Sequence, residues 1–192
     1  LAWVRLTSGE DQLIVATRQG MAIRFNETDA RVLGRTARGV RALNLEEDDI
    51  VVGMVPVMEN TTVLTVSENG QGRRTDPAEY RLQSRGGKGI KNYDTQKNGP
   101  VAGVLAVGEE DDVILISDDG IIIRIPVAEI STQSRYAGGV RVMRIGEGSR
   151  LVSLCRAPHE DEEEAAAESE APAEAEAPAE ETADSTGHPV EE

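Results

Sequence analysis

Between Gln83 and Lys91 the chain packs Arg85, Lys88 and Lys91 together with Gly86, Gly87 and Gly89. Glycine has no Cβ, so its backbone can reach φ > 0 and bring N–H groups close to an anion, while the cations supply charge. This is chemistry for holding phosphate, not for breaking bonds. One such loop is a weak signal, because solvated basic turns are common. Here the loop recurs. Arg35, Arg38 and Arg41 stand before it, Arg135 and Arg141 after it, at matching spacings. Acidic residues concentrate in other connections, Glu10–Asp11, Glu46 to Asp49 and Glu109 to Asp112. If equivalent loops occupy equivalent places, the cations form a belt suited to a long polyanion. About nine phosphate contacts would give duplex binding a salt slope near about −8. Such contacts follow the backbone and its deformability, so binding is expected to be largely sequence-independent.

The elements that must position these residues repeat with a period of 50. Gly20, Gly70 and Gly120 correspond, as do Arg24, Arg74 and Arg124; Arg35, Arg85 and Arg135; Gly39, Gly89 and Gly139; and Arg41, Lys91 and Arg141. No insertion or deletion is needed. Each unit reads as β structure. Leu13 to Thr17, Val63 to Ser67 and Val113 to Ser117 are rich in β-branched residues and lead into Gln19-Gly20, Asn69-Gly70 and Asp119-Gly120. Asn-Gly and Asp-Gly favour a two-residue hairpin turn. Return strands are expected at Met21 to Phe25, Gln71 to Thr75 and Ile121 to Ile125. Third strands are expected at Val40 to Leu45, Ile90 to Thr95 and Val140 to Ile145, and fourth strands at Ile50 to Val57, Val101 to Val107 and Leu151 to Cys155. Four short strands per unit is the arithmetic of a propeller blade, which predicts an all-β domain over residues 1–158. Three blades do not close a ring, and the chain starts as if inside a strand, so upstream blades are expected.

Charge divides the chain sharply. All 20 Lys and Arg lie at or before Arg156 and face 21 acidic residues there, whereas His159 to Glu192 holds 14 carboxylates and no Lys or Arg. The net charge of −15 is therefore almost wholly the tail's and excludes nothing about polyanion binding by the body. Residues 159–192 are dominated by Glu, Ala and Pro with little to bury, which predicts a disordered acidic tail. The lone Cys155 excludes an internal disulfide and favours a reducing cytoplasm. It reads as a small core or strand residue, and Trp3 as core. Tyr80, Tyr93 and Tyr136 read as packing or rim residues, since none has an acid/base partner beside it. No metal-ligand spacing is present.

These residues together resemble a known family, the C-terminal domain of the bacterial DNA gyrase A subunit, over about residues 1–158. The family's hallmark box is Gln-Arg-Arg-Gly-Gly-Lys-Gly, and Gln83 to Gly89 departs from it only at Ser84. Leu6 to Asp11, Gly39-Val40-Arg41, Gly70 to Thr75 and the acidic C-terminus are further family-like phrases. The resemblance implies a β-pinwheel, usually six-bladed, whose basic rim wraps double-stranded DNA so that the whole enzyme can introduce negative supercoils. It carries Gln83, Arg85, Gly86, Gly87, Lys88 and Gly89 over as box residues. It also implies an upstream cleavage domain holding the catalytic tyrosine, partnership with the gyrase B subunit, and ATP and Mg²⁺ used outside this segment. No catalytic residue or cofactor is expected within it. In the family the box belongs to the first blade, whereas here it lies in the second repeat with weaker echoes at Leu33 to Gly39 and Gln133 to Gly139. Whether it is the principal box or a secondary copy stays open. So do the related topoisomerase IV A domain and a protein-binding propeller. A propeller hydrolase is disfavoured, because the acidic residues cluster in turns.

Overall fold

Runs of β-branched residues punctuated by glycine turns become three antiparallel sheets. The computed structural model of the protein describes residues 2–159, so the expected tail lies outside the described residues beyond His159. The first hairpin is β1 (Gln12–Thr17) and β2 (Met21–Asn26). It is followed by β3 (Val51–Val57), β4 (Thr62–Ser67), β5 (Gln71–Thr75), β6 (Ile90–Lys91), the single-turn helix α1 (Thr95–Asn98), β7 (Val101–Val107), β8 (Asp111–Ser117), β9 (Ile122–Pro126), β10 (Val140–Arg141) and β11 (Leu151–Pro158). Short 3₁₀ turns at Glu27–Asp29, Pro77–Glu79 and Val127–Glu129 follow β2, β5 and β9. The sheets have the strand orders β3-β1-β2-β6, β10-β5-β4-β7 and β11-β8-β9.

Those orders correct the expectation that each unit forms its own blade. The third strand of a repeat crosses to the sheet before it: Ile90 and Lys91 pair with Ala22 and Met21, and Val140 and Arg141 pair with Gly72 and Gln71. The connection first bridges in parallel, Leu82 beside Arg24 and Thr132 beside Arg74, then reverses through the glycine loop and returns antiparallel. The second and third glycine loops therefore lie at the outer edge of the preceding sheet. Backbone proximity explains the glycine at the crossing. Gly89 and Gly139 sit at φ +77° and +85°, and a Cβ on either would collide with the carbonyl of Ala22 or Gly72. Only Gly39, the equivalent residue in the first repeat, has nothing within 4 Å of such a Cβ.

The exchange also explains which expected strands are missing. Residues 40–45 and 2–8 form no strand, because among the described residues no preceding hairpin offers them an edge. Accordingly Trp3 is partly exposed rather than core. Conversely β9 has no outer strand among the described residues, and Ile122 there is 64% exposed. Cys155 does lie in β11 but faces solvent.

The turns differ from expectation as well. A two-residue type I′ turn needs φ > 0 at both central residues, yet only the glycine is left-handed, Gly20 at +85°, Gly70 at +75° and Gly120 at +86°. Gly20 N–H closes back on the Thr17 carbonyl at 3.0 Å, so Arg18-Gln19 is the turn and Gly20 the bulge that follows it. Once in place, the Gly20 carbonyl accepts from the N–H groups of Asn92 and Tyr93, and Gly70 serves Val142 and Met143 in the same way.

Apolar faces of adjacent sheets share their cores. Ile14, Ala22 and Val55 of the first sheet pack with Val63, Val101 and Val104 of the second and with the buried rings of Tyr80 and Tyr93. Leu64, Val66 and Val107 pack with Val113, Leu115 and Leu151 of the third. The same offset governs charge: Arg18 Nε meets Glu68 Oε1 at 2.7 Å, linking equivalent turns of successive repeats.

Candidate nucleic-acid interface

Because β6 and β10 are the outermost strands of their sheets, Lys91 and Arg141 occupy equivalent, exposed positions on successive blade edges. Arg41 holds the same position in the first repeat and is also exposed. Arg35, Arg38, Arg41 and Arg141 make no side-chain hydrogen bond or ion pair among the described residues, which leaves their charge to solvent or a ligand. Lys88 Nζ lies 3.0 Å from Glu46 Oε1, and Lys91 Nζ 3.4 Å from Asp94 Oδ2, both as exposed pairs. Exposed pairs of this sort contribute about 0–1 kcal/mol, so a polyanion can replace the carboxylate at little cost. Glu46 nevertheless places one acidic turn directly against the glycine loop, contrary to the expectation that the acidic turns lie elsewhere.

The box arginines are used differently. Arg85 Nε donates to the Asp29 carbonyl at 2.7 Å and its Nη1 to the Arg41 carbonyl at 3.1 Å. Arg135 Nη1 donates to the Lys91 carbonyl, the counterpart of Arg41. Both guanidinium groups therefore tie one repeat's loop to the backbone of the repeat before it. Gly86 N–H donates to the Ala42 carbonyl at 2.6 Å, and the Gly87 carbonyl accepts from Asn44 N–H at 2.8 Å. Gln83 N–H anchors the loop's start on the Arg24 carbonyl. Glycines 86, 87 and 89 thus shape the loop, and Lys88 and Lys91 carry its outward charge.

Arg24 and Arg74, two of the other repeating cations, turn inward onto the backbone, while the third, Arg124, pairs with Asp112 at 2.7 Å. Arg24 Nη1 donates to the carbonyls of Pro77 and Tyr80, and Arg74 Nε to that of Ile130, holding down the next repeat's 3₁₀ turn. Arg74 also grips Glu109, whose carboxyl this hydrogen bond and charge hold below its usual range.

One buried cation escaped the sequence reading. Arg73 is completely buried, where the equivalent residues of the neighbouring repeats are Ile23 and Ile123. Its guanidinium donates to the carbonyls of Ser134 at 3.1 Å, Asn92 at 2.5 Å and Arg135 at 2.6 Å, and sits 4.8 Å from the Tyr93 ring centre. Burial pulls it below the usual arginine range, while Tyr80 and Tyr93 oppose that shift. Tyr80 Oη donates to Asn92 Oδ1 at 2.6 Å, completing a polar core absent from the other described repeats. The departure from the repeat at position 73 was the available signal.

No group of His, Cys, Asp or Glu able to hold a metal occurs among the described residues. No helix among them is long and apolar enough to cross a membrane.

Known proteins share this arrangement. The family described as DNA gyrase C-terminal domain, beta-propeller, matches residues 11–58, 61–107 and 111–154. The DNA gyrase A protein of Aminobacterium colombiense is 44% identical over 73 residues, which cover 38% of this chain and 9% of that protein. A solved DNA gyrase A C-terminal domain superposes with a TM-score of 0.70 at 32% identity, covering 77% of this chain and 50% of that one. A crystallised C-terminal domain of DNA topoisomerase IV gives 0.76 at 24% identity, covering 87% and 53%, a likeness of fold alone. The chain thus matches less than a tenth of the gyrase protein's length and about half of each solved domain. With three consecutive matched segments, each framing one sheet's central hairpin, this chain belongs to the DNA gyrase C-terminal domain, beta-propeller family.

Proposed function

We propose that this chain binds double-stranded DNA along its blade edges and curves it, without regard to sequence, as the wrapping part of a DNA gyrase A protein. The observation carrying this reading is the recurrence of exposed cations at Arg41, Lys91 and Arg141, the last two on the outer strands of successive sheets, with Arg35, Arg38 and Lys88 on the adjoining loops. Arg85, Arg135, Gln83, Gly86, Gly87 and Gly89 serve the same interface by holding those loops in place, and Arg85 retains partial exposure for a phosphate of its own. Such a surface grips sugar-phosphate rails and not base edges.

Bending 20 to 30 base pairs through 40 to 90° costs on the order of 1–6 kcal/mol, so contacts from successive blades must offset it. In the longer protein this wrapping would present DNA to an upstream cleavage domain. ATP and Mg²⁺ would act there and in a gyrase B subunit, in the cytoplasm, to produce negative supercoils. Gyrase is preferred over topoisomerase IV because the sequence relatives are gyrase proteins, while the topoisomerase IV likeness is one of fold.

The test is duplex binding measured at several salt concentrations. About six phosphate contacts give a slope near about −5, and replacing Lys91 and Arg141 together by Ala reduces its magnitude by about 2. A chain that ignores duplex DNA at low salt would instead favour the protein-binding propeller.

A further inference from the structure

The three repeats also differ at the loop position that carries Thr36, Gly86 and Tyr136, and in the third this residue sits on the loop whose Ser134 and Arg135 carbonyls Arg73 binds. Where the second repeat has Gly86 at φ +84°, the third has Tyr136. A tyrosine cannot take that left-handed backbone without strain, and Tyr136 does not. As a result the bond that Gly86 N–H makes to the Ala42 carbonyl has no counterpart: the equivalent carbonyl, that of Asn92, is taken by Arg73 Nη2. The loop is held by other means. Arg73 binds the Ser134 and Arg135 carbonyls, Arg135 N–H donates to Glu79 Oε2 at 2.7 Å, and Arg135 Nη1 donates to the Lys91 carbonyl.

On this braced loop the Tyr136 side chain is 77% exposed, yet it is fixed in orientation. Arg135 Nη2 donates to Tyr136 Oη at 2.7 Å, and the Arg135 guanidinium carbon lies 4.4 Å from the ring centre. One ring face is thereby covered by a cation, and the other has no aromatic neighbour among the described residues. A rigid aromatic plate backed by positive charge, beside an outer strand carrying exposed Arg141, has the chemistry that stacks against unstacked bases and wedges base steps. Phosphate gripping alone needs no such ring.

We propose that Tyr136 is a DNA-contacting wedge that inserts at a flexible base step of the bound duplex, localising a bend at the edge of the second sheet. The proposal rests on the DNA-binding reading and adds to it a contact with bases. Pyrimidine–purine steps, which unstack most easily, are the steps it would favour.

Tyr136 is exposed, so its replacement leaves the fold intact and the contact can be tested alone. The full chain is titrated with end-labelled duplex DNA, with energy transfer between the ends reporting bending. Tyr136→Ala is expected to weaken binding by about tenfold and to reduce bending, with the salt slope unchanged, because no phosphate contact is lost. Tyr136→Phe keeps the plate and most of the bending. In a Trp3→Phe background, the indole introduced by Tyr136→Trp is quenched at least about twofold on saturating duplex if it stacks on bases. Wild-type binding with a steep salt slope, combined with unaltered bending for Tyr136→Ala or an unquenched indole, overturns the wedge alone. Failure of the wild-type chain to bind duplex overturns the wedge and the DNA-binding reading together.

Discussion

Arg85 Nη1 donates to the carbonyl of Arg41 at 3.1 Å, across the junction between the first two repeats. The side chain most easily taken for a phosphate ligand is thus also a clamp on the neighbouring repeat's backbone, and Arg135 repeats the arrangement on Lys91. Arg85→Ala should therefore lower stability by about 1–2 kcal/mol, through two lost charge-assisted hydrogen bonds. Lysine cannot reproduce the planar fork, so Arg85→Lys restores little. Urea unfolding midpoints provide the check, and midpoints equal to wild type would make Arg85 purely a surface cation.

Strand exchange depends on a glycine where two backbones touch. Gly89→Ala must move the Ala22 carbonyl and adopt a left-handed backbone, which should cost about 1–3 kcal/mol or more. Gly39→Ala meets only the backbone strain, since nothing lies within 4 Å, and should cost clearly less. Thermal unfolding of the two variants side by side decides this. Equal losses would mean that the contact at Ala22 relaxes freely.

At the second junction, Arg73→Ile installs the residue that the first and third repeats carry, but strands the carbonyls of Asn92, Ser134 and Arg135. An unmet buried carbonyl costs about 1–3 kcal/mol, which falls in full on Asn92 and only in part on Ser134 and Arg135, so a loss of about 2 kcal/mol is expected despite the apolar gain. Hydrogen exchange should rise first in residues 133–139. A variant as stable as wild type would show that the polar core is dispensable.

Acid sensitivity follows from Asp112. Burial works to raise its carboxyl, but hydrogen bonds from His159 and Arg124, the latter at 2.7 Å, hold it below the usual 3.8. A depressed folded-state value stabilises the protein above the unfolded-state value, and this stabilisation is lost as pH falls through the folded one. Asp112→Asn should lower stability at neutral pH and flatten the loss below about pH 4. An acid unfolding curve of unchanged shape would contradict the assignment.

The repeat, the β character and the basic loops were all legible, because a period of 50 places Gly20, Gly70 and Gly120 in identical local settings. Pairing was not. A strand at Ile90–Lys91 has the same local pattern whether it closes its own unit or the one before it, and a two-residue strand carries too little alternation to choose. Turn type was hidden for a similar reason: Asn69-Gly70 suits a type I′ turn, but the glycine can equally follow the turn as a bulge. Among the site residues, spacing identified Arg41, Lys91 and Arg141 as equivalent but could not tell an arginine facing solvent from one clamped on a carbonyl. Arg73 was visible as a break in the repeat, whereas Tyr136 stands at a position that varies as Thr36, Gly86 and Tyr136. Their connection, one beneath the loop and one on top of it, needed coordinates.

The most direct test of the whole account is the linking number of a nicked circular plasmid, resealed by ligase with this chain bound at saturation. Wrapping along the belt of Arg41, Lys91 and Arg141 predicts a shift of one sign that grows with bound protein and is abolished when the three cations are replaced by Ala. A saturated plasmid resealed with no shift, or one shifted equally by the neutralised variant, would contradict it.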